Sequence, residues 1–486
     1  MRSTASELAE KLWESFGALR NDGVSALEYL DQLTYLMFLK RGYELANDEL
    51  VPDLALQPLS DAWQSLLAAD GQELKEAYDQ ILRAFASRED YFGGIFRSAY
   101  NSIQDPDKLK KLIVDVVGLN SGQSGSVAPV GKVYESLLAR AVDDDRSGLG
   151  QYYTPQVVVQ ALVACVQPGP EDTIYDPACG TGSLLLAARN YVLRHHSKDM
   201  TAGQRTRLDS SQIFGTELVP GASLLAKMNL ILHGVDSENI DWLIEDRDSL
   251  HKILSLNPSI ILANPPFGRR PRTNFSPGFW VLSRNKELNF LQYIASTLRT
   301  PGKAAVIVSD SLLFAGGAAA HEVRRKMLTD FNVHTLLRLP SGIFHSTAVK
   351  ANVLFFDKKE KRLDAPQTSV LWVYDFRTDK HFSYTRRNLA PEDLDDFVTC
   401  YRPGKSFASR VETERFKSFS YEELMDRDQV NLDITWMKDS SWKEGNNASA
   451  SDLIARAIVE DLTVARDEFS AIADLLEQSR ARRSQE

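Results

Sequence analysis

The most specific chemistry in this chain sits at Asn264-Pro265-Pro266-Phe267. The apolar run over residues 259–263 precedes it and is predicted to be a buried strand. Two consecutive prolines lack N–H donors and hold the chain rigid, so carbonyls there remain free to accept. The Asn264 side-chain oxygen and the Pro265 carbonyl can then take both protons of an exocyclic amino group. Phe267 can stack on the ring that carries it. The plainer alternative is a proline-rich turn after a strand.

Three further segments add to this. Asp176-Pro177-Ala178-Cys179-Gly180-Thr181-Gly182-Ser183 lies between a β-forming run at 173–175 and a helix predicted over 184–193. Glycines let the backbone approach a ligand closely, and the helix N-terminus offers free N–H groups. The spacing is not the dinucleotide fingerprint Gly-x-Gly-x-x-Gly. Residues 213–217 read as a strand ending in the acid Glu217. A carboxylate at such a tip can accept hydrogen bonds from both ribose hydroxyls, the alternative being a surface Glu. Gly150-Gln151-Tyr152-Tyr153-Thr154-Pro155 precedes a helix predicted over 156–166, with Pro155 suited to its first turn and Thr154 to its cap.

These segments need a scaffold that gathers them. Residues 1–140 read as helical, with apolar stripes such as Leu8, Leu12, Phe16 and Leu19, and Leu74, Tyr78, Ile81, Leu82 and Phe85. From about residue 150, β-rich runs at 173–178, 213–218, 259–263, 304–309, 333–339 and 352–356 alternate with helical stretches such as 288–298 and 321–331. Alternation of this kind predicts a largely parallel sheet covered on both faces. Residues 369–376 offer one more strand, and 377–450 are weakly patterned and polar. Leu453, Ile454, Ile458, Leu462, Ala465, Phe469, Ile472 and Leu476 form the stripe of an amphipathic terminal helix. Such a helix packs on its own domain or pairs with a partner.

Composition narrows the classes. Among 486 residues, 56 Lys and Arg against 66 Asp and Glu leave a net charge of −10. That argues against a free-standing protein that coats nucleic acid, but not against a local basic channel or a basic partner. No apolar run approaches the ~20 residues of a membrane span. The polar start of the chain predicts no signal peptide. Three cysteines are too few for a disulfide framework or a cysteine-rich zinc site, so no metal and a cytoplasmic location are expected.

The ordered segments Gly-Gln-Tyr-Tyr-Thr-Pro, Asp-Pro-Ala-Cys-Gly-Thr-Gly-Ser and Asn-Pro-Pro-Phe resemble those of the methyltransferases that modify adenine at N6 in DNA. More closely, residues 5–360 resemble the modification subunit of type I restriction–modification systems. Leu12-Trp13, Leu36-Met37-Phe38-Leu39-Lys40-Arg41, Met228-Asn229-Leu230-Ile231-Leu232-His233-Gly234 and Leu337-Arg338-Leu339-Pro340-Ser341-Gly342-Ile343-Phe344 strengthen the likeness. Two departures stand out: Ser183 occupies a position where the family often has glycine, and the family's proline turn is missing near Ser309-Asp310-Ser311.

The resemblance implies a helical N-terminal domain (1–140) and a Rossmann-like S-adenosylmethionine-dependent methyltransferase domain (141–376) with a mostly parallel twisted sheet. A mixed extension (377–450) and a C-terminal helix for partner contact (451–486) follow. By the same resemblance, Gln151, Tyr152, Tyr153, Thr154, Pro155 and Gln156 would wrap the methionine end of S-adenosylmethionine. Gly180, Thr181, Gly182 and Ser183 would form the cofactor turn with Asp176 at its base, Glu217 would hold the ribose and Asp248 would meet the cofactor adenine. Asn264, Pro265, Pro266 and Phe267 would receive a flipped adenine of double-stranded DNA.

No zinc-finger spacing or basic recognition helix is present, so sequence readout is expected from a separate specificity subunit. The resemblance also implies two copies per complex and, in some assemblies, a motor-nuclease restriction subunit. Arg269, Arg270 and Arg272, and more weakly Arg324-Arg325-Lys326, are candidates for phosphate contact, the alternative being solvated charge. Gly404-Lys405-Ser406 lacks the first glycine of a phosphate loop, Thr399 standing there. Asn-Pro-Pro-Phe serves any planar amino donor, so methylation of an RNA base or a protein glutamine stays open, as does a non-catalytic cofactor-binding scaffold.

Overall fold

The computed structural model describes residues 5–47, 56–118, 130–143, 153–235, 240–251, 256–268, 278–344, 350–360, 364–378 and 389–437. Gln151, Tyr152, Arg269, Arg270, Arg272 and the expected terminal helix lie outside the described residues.

The N-terminal region is helical: α1 (Ala5–Arg20), α2 (Ala26–Ala46), α3 (Gln57–Ala68), α4 (Gly71–Ala86), α5 (Tyr91–Phe96), α6 (Pro106–Val117) and α7 (Val130–Asp143). Most carry the expected one-sided stripe. The exception is α2, which α1, α3, α6 and α7 surround and bury on nearly every side. Two of its buried polar residues, Gln32 and Thr34, are satisfied inside the bundle. Gln32 donates to the Tyr100 carbonyl at 2.9 Å and accepts from the Tyr78 hydroxyl at 3.1 Å, while Thr34 meets the Tyr134 hydroxyl at 3.0 Å. Such pairing removes most of the cost of burying them. A Ser25–Glu28 capping box starts the helix.

A nine-stranded sheet follows, in the order β3-β2-β1-β4-β5-β7-β6-β8-β9. Its strands are β1 (Ile174–Asp176), β2 (Ile213–Glu217), β3 (Ile244–Asp246), β4 (Ile260–Ala263), β5 (Gly302–Ser309), β6 (Asn332–Arg338), β7 (Ala351–Lys358), β8 (Val370–Asp375) and β9 (Phe416–Ser420). The strands from β3 to β5 are parallel, β7 runs antiparallel between β5 and β6, β8 is parallel to β6, and β9 closes the edge antiparallel. The mostly parallel fold class expected from the β/α alternation holds. Sequence reading missed β3, only three residues long, and β9, which lies in the polar 377–450 stretch and carries the sheet past residue 376.

The main helices around the sheet are α8 (Gln156–Val166), α9 (Ser183–His196), α10 (Ala202–Ser210), α11 (Pro220–Leu232), α12 (Ile240–Leu243), α13 (Lys286–Thr297), α14 (Asp310–Phe314), α15 (Ala318–Asp330) and α16 (Asp395–Tyr401). β1 lies between β2 and β4, so successive connections leave it in opposite directions. That reversal opens a crevice outside the carboxyl ends of β1 and β4, where α/β sheets bind ligands.

Candidate active site at the carboxyl ends of the strands

The glycine turn leaves β1 at Asp176 and enters α9 at Ser183. Gly180 and Gly182 have φ of 53° and 76°, left-handed values that glycine adopts without strain. The turn is tied to β2 at two points: Cys179 N–H donates to the Thr216 carbonyl at 3.1 Å, and Gly180 N–H to Glu217 Oε2 at 3.0 Å. Glu217 Oε1 accepts from Val219 N–H at 2.9 Å. A buried carboxylate is thereby fixed at the strand tip, with lone pairs left for a ligand. No side chain caps α9, whose N-cap is Gly182, so its first N–H groups are not taken by a cap.

Asp176 is buried beneath this turn and accepts from Ala178 N–H at 3.0 Å. Burial, reinforced by Glu217 nearby, pushes its carboxyl up to about 8. Cys179 behaves as the packing residue its context suggests. Burial holds its thiol well above the ordinary range, and a Cβ on Gly215 would stand 2.8 Å from its sulfur.

The segment after β3 comes to the same place. Arg247 N–H donates to the Glu217 carbonyl at 3.0 Å, and the Ser249 hydroxyl to the Pro177 carbonyl at 2.6 Å. Asp248 between them accepts from Leu250 N–H at 3.0 Å. Below, the Tyr175 hydroxyl bridges Thr216 at 2.9 Å and Tyr293 at 3.1 Å, linking β1, β2 and α13 under the turn.

Asn264 follows the fully buried β4. Its Nδ2 donates to Thr154 Oγ1 at 3.0 Å, which leaves Oδ1 as an acceptor beside the Pro265 carbonyl. Thr154 is therefore not the cap of α8, as its position before proline suggested. The N-cap is Pro155, which has no side-chain acceptor, and the threonine hydroxyl turns to Asn264 instead. Phe267 is half-buried against the core and Pro266 is exposed.

Thr154, Pro155, Gln156, Asp176, Gly180–Ser183, Glu217, Asp248 and Asn264–Phe267 thus stand at one edge of the sheet or at the entry to α8. Tyr153, beside Thr154, packs against the core. Arg324, in the weaker basic cluster, does not belong to a phosphate surface. It is 1% exposed and spends its guanidinium on the carbonyls of Leu312, Ala315, Gln429 and Val430. Arg325 pairs with Glu322, and Lys326 with Asp330.

Sequence reading missed a second polar contact beside β4. Glu287 on α13 is 3% exposed and accepts from Ser309 N–H at 2.7 Å and Ser309 Oγ at 2.9 Å, at the carboxyl end of the neighbouring β5. Burial raises its carboxyl. The missing proline at Ser309 was the available signal: this strand end has an N–H and a hydroxyl to satisfy, and Glu287 satisfies both.

Comparison with known proteins gives the family. Residues 125–444 match the N-6 DNA methylase family, and residues 8–116 match the HsdM N-terminal domain. The type I restriction enzyme StySJI methylase subunit of Salmonella typhimurium is 30% identical over 96% of this chain and 94% of its own. The crystal structure of the type I restriction enzyme EcoKI M protein aligns with a TM-score of 0.55 at 28% identity, covering 95% of this chain and 94% of that one. A chain from a structure describing complex assembly and conformational transition of a type I restriction–modification system aligns with a TM-score of 0.72 at 25% identity, covering 97% and 98%. The chain belongs to the N-6 DNA methylase family, as a methylase subunit of the type I restriction–modification class.

Proposed function

We propose that this subunit methylates N6 of an adenine flipped out of double-stranded DNA, with S-adenosylmethionine as donor and a separate specificity subunit reading the sequence. The residues present fit that donor. Gly180, Thr181, Gly182 and Ser183 form a turn at an uncapped helix start, above Asp176, and Glu217 offers a fixed carboxylate for ribose hydroxyls. Asp248 stands beside Glu217 to meet the adenine of the donor. By the family resemblance, Gln151, Tyr152, Tyr153, Thr154, Pro155 and Gln156 would wrap its methionine end. When bound, S-adenosylmethionine supplies an electrophilic methyl group on a sulfonium.

The chain's own residues do the rest. An adenine inside a duplex cannot reach a buried site, so it is received extrahelically. Asn264 Oδ1 and the Pro265 carbonyl accept its two amino protons and favour a nitrogen whose lone pair is available. Pro266 keeps that acceptor pair rigid. The face of Phe267 stabilises positive charge that develops on the base. The proton leaves after transfer, when the nitrogen is acidic, so no tuned base is needed. One observation carries this reading above the others. Thr154 holds the Asn264 amide by its nitrogen, which presents oxygen, and not N–H, to an incoming amino group.

The same reading assigns Arg269, Arg270 and Arg272 to phosphate contact directly after Phe267, and the 451–486 segment to contact with a partner subunit. It places two copies of this chain in a complex with the specificity subunit, which a restriction subunit can join, in the cytoplasm where its DNA lies. No described helix is long and apolar enough to cross a membrane.

The test is single-molecule sequencing of host DNA, scored for N6-methyladenine, in cells carrying the wild-type gene, no gene or Asn264→Ala. The mark is expected at a split motif with a fixed spacer in the wild type alone. Removing a directed acceptor at a reacting centre costs on the order of 100-fold or more. Retention of the mark with Asn264→Ala refutes the catalytic assignment, and a short continuous motif refutes the two-part specificity partner.

A further inference from the structure

α11 begins three residues after Glu217 and lies against the glycine turn on one side and against α2 and α7 of the helical region on the other. Its contact with the turn is close. A Cβ placed on Gly182 would stand 3.5 Å from Ala226. Three residues further, on the same face, Asn229 is completely buried and donates through Nδ2 to the Thr181 carbonyl at 3.0 Å. Its Oδ1 has no hydrogen-bond partner among the described residues. A half-satisfied amide is a costly way to fill a core position, which an apolar side chain of the same size would fill with less penalty. What Asn229 provides that such a side chain does not is a grip on the carbonyl between the two left-handed glycines.

The same helix end touches the helical region. His233 Nδ1 lies 2.8 Å from the Asn229 carbonyl, and since a carbonyl can only accept, Nδ1 carries the hydrogen. The ring is pressed on by α7: a Cβ on Gly131 would lie 2.5 Å from it, and Glu135 Oε2 is 3.7 Å from Nε2. Three contacts in series therefore join α7 to the turn: α7 against His233, His233 to the Asn229 carbonyl, and the Asn229 side chain to Thr181.

We propose that Asn229 is a positioning residue that holds the glycine turn in its cofactor-binding shape, with His233 setting Asn229 from the contact with α7. This rests on the reading of the turn as the S-adenosylmethionine site. Fixing the Thr181 carbonyl fixes the direction of the neighbouring glycine N–H groups, so the expected effect falls on cofactor affinity and not on the methyl transfer step.

The experiment titrates S-adenosylmethionine into the full chain by calorimetry. It also measures steady-state DNA methylation in the complex with the specificity subunit, and the unfolding midpoint of each variant. Asn229→Leu keeps the branched heavy-atom skeleton and removes the grip. Its Kd and KM for S-adenosylmethionine should rise about tenfold, the worth of one hydrogen bond, with kcat within about twofold. His233→Ala should raise Kd about threefold, and His233→Asn, which keeps a donor where Nδ1 stands, should restore it. A merely structural role would lower the unfolding midpoint and leave Kd and KM unchanged, and that result overturns the inference. If Asn229→Leu does not fold, the His233 pair decides, and equal affinities for His233→Ala and wild type overturn it. Failure of the wild-type chain to bind S-adenosylmethionine is a different result, and it refutes the reading of the turn together with this inference.

Discussion

The two halves of the sheet treat buried polar groups in opposite ways. In the parallel half, Glu217 and Asn264 each spend part of their capacity on a neighbour and keep acceptor positions open at the strand ends. In the mixed half, buried charge is mostly spent on neighbouring groups, although Arg377 Nε and one Arg410 guanidinium nitrogen find no partner among the described residues. Arg338 is wholly buried at the end of β6 and donates to Asn352 Oδ1 at 2.6 Å, Asp433 at 2.6 Å and Asp310 at 3.1 Å. Asn352 returns to Asp310 at 2.8 Å, and Arg377 joins Asp375 and Asp433. Arg410 is likewise buried, donating to the carbonyls of Tyr401 and His334 while lying over the Phe407 ring at 4.3 Å. Perturbed titration and burial alone would flag both halves as functional. Acceptors left open at the strand ends separate the site from the staple.

The largest expected effect tests the staple. Arg338→Ala strands Asp310 and Asp433 beside a void, and removing one member of a buried ion network typically costs about 3–5 kcal/mol. Chemical denaturation should show this loss, with methylation falling only as folded protein falls. Normal stability with lost methylation would erase the distinction between the halves.

A smaller effect sharpens the other side. Thr154→Val is nearly isosteric and removes the hydroxyl that receives the Asn264 amide. One hydrogen bond of about 1–1.5 kcal/mol predicts roughly tenfold lower kcat, with the unfolding midpoint close to wild type. An unchanged kcat would mean that Asn264 is oriented without Thr154.

What the sequence made legible follows strand length and local pattern, not this divide. β4, β5, β6 and β7 announce themselves as apolar β-forming runs, and the segments carrying Asn264, Gly180–Gly182 and Glu217 are local patterns. β3 has three residues between a short helix and a turn, too few for a period to show. β9 reads Phe-Lys-Ser-Phe-Ser and becomes a strand because β8 offers an unpaired edge. Asn264 and Thr154 are 110 residues apart, and Asn229 sits within an apolar helical run where only the packed turn gives it a task. Strand order is equally non-local, because nothing in β7 announces that it inserts antiparallel between β5 and β6.

A further comparison concerns Asp176, a buried carboxyl of the parallel half. Its carboxyl is pushed up to about 8 by burial and by Glu217, against an ordinary value near 4. Between those values the folded chain keeps a proton that the unfolded chain has released. Stability drawn from the raised group is therefore complete below about pH 4 and is lost as pH rises toward 8. Asp176→Asn keeps the acceptor for Ala178 N–H and cannot ionise. Denaturation at a series of pH values should show the wild type losing ground to this variant across that window. A parallel pair of curves would mean that Asp176 is already ionised in the folded state. The floor of the turn would then carry two negative charges, Asp176 and Glu217, and a cationic donor would be drawn there by charge as well as by shape.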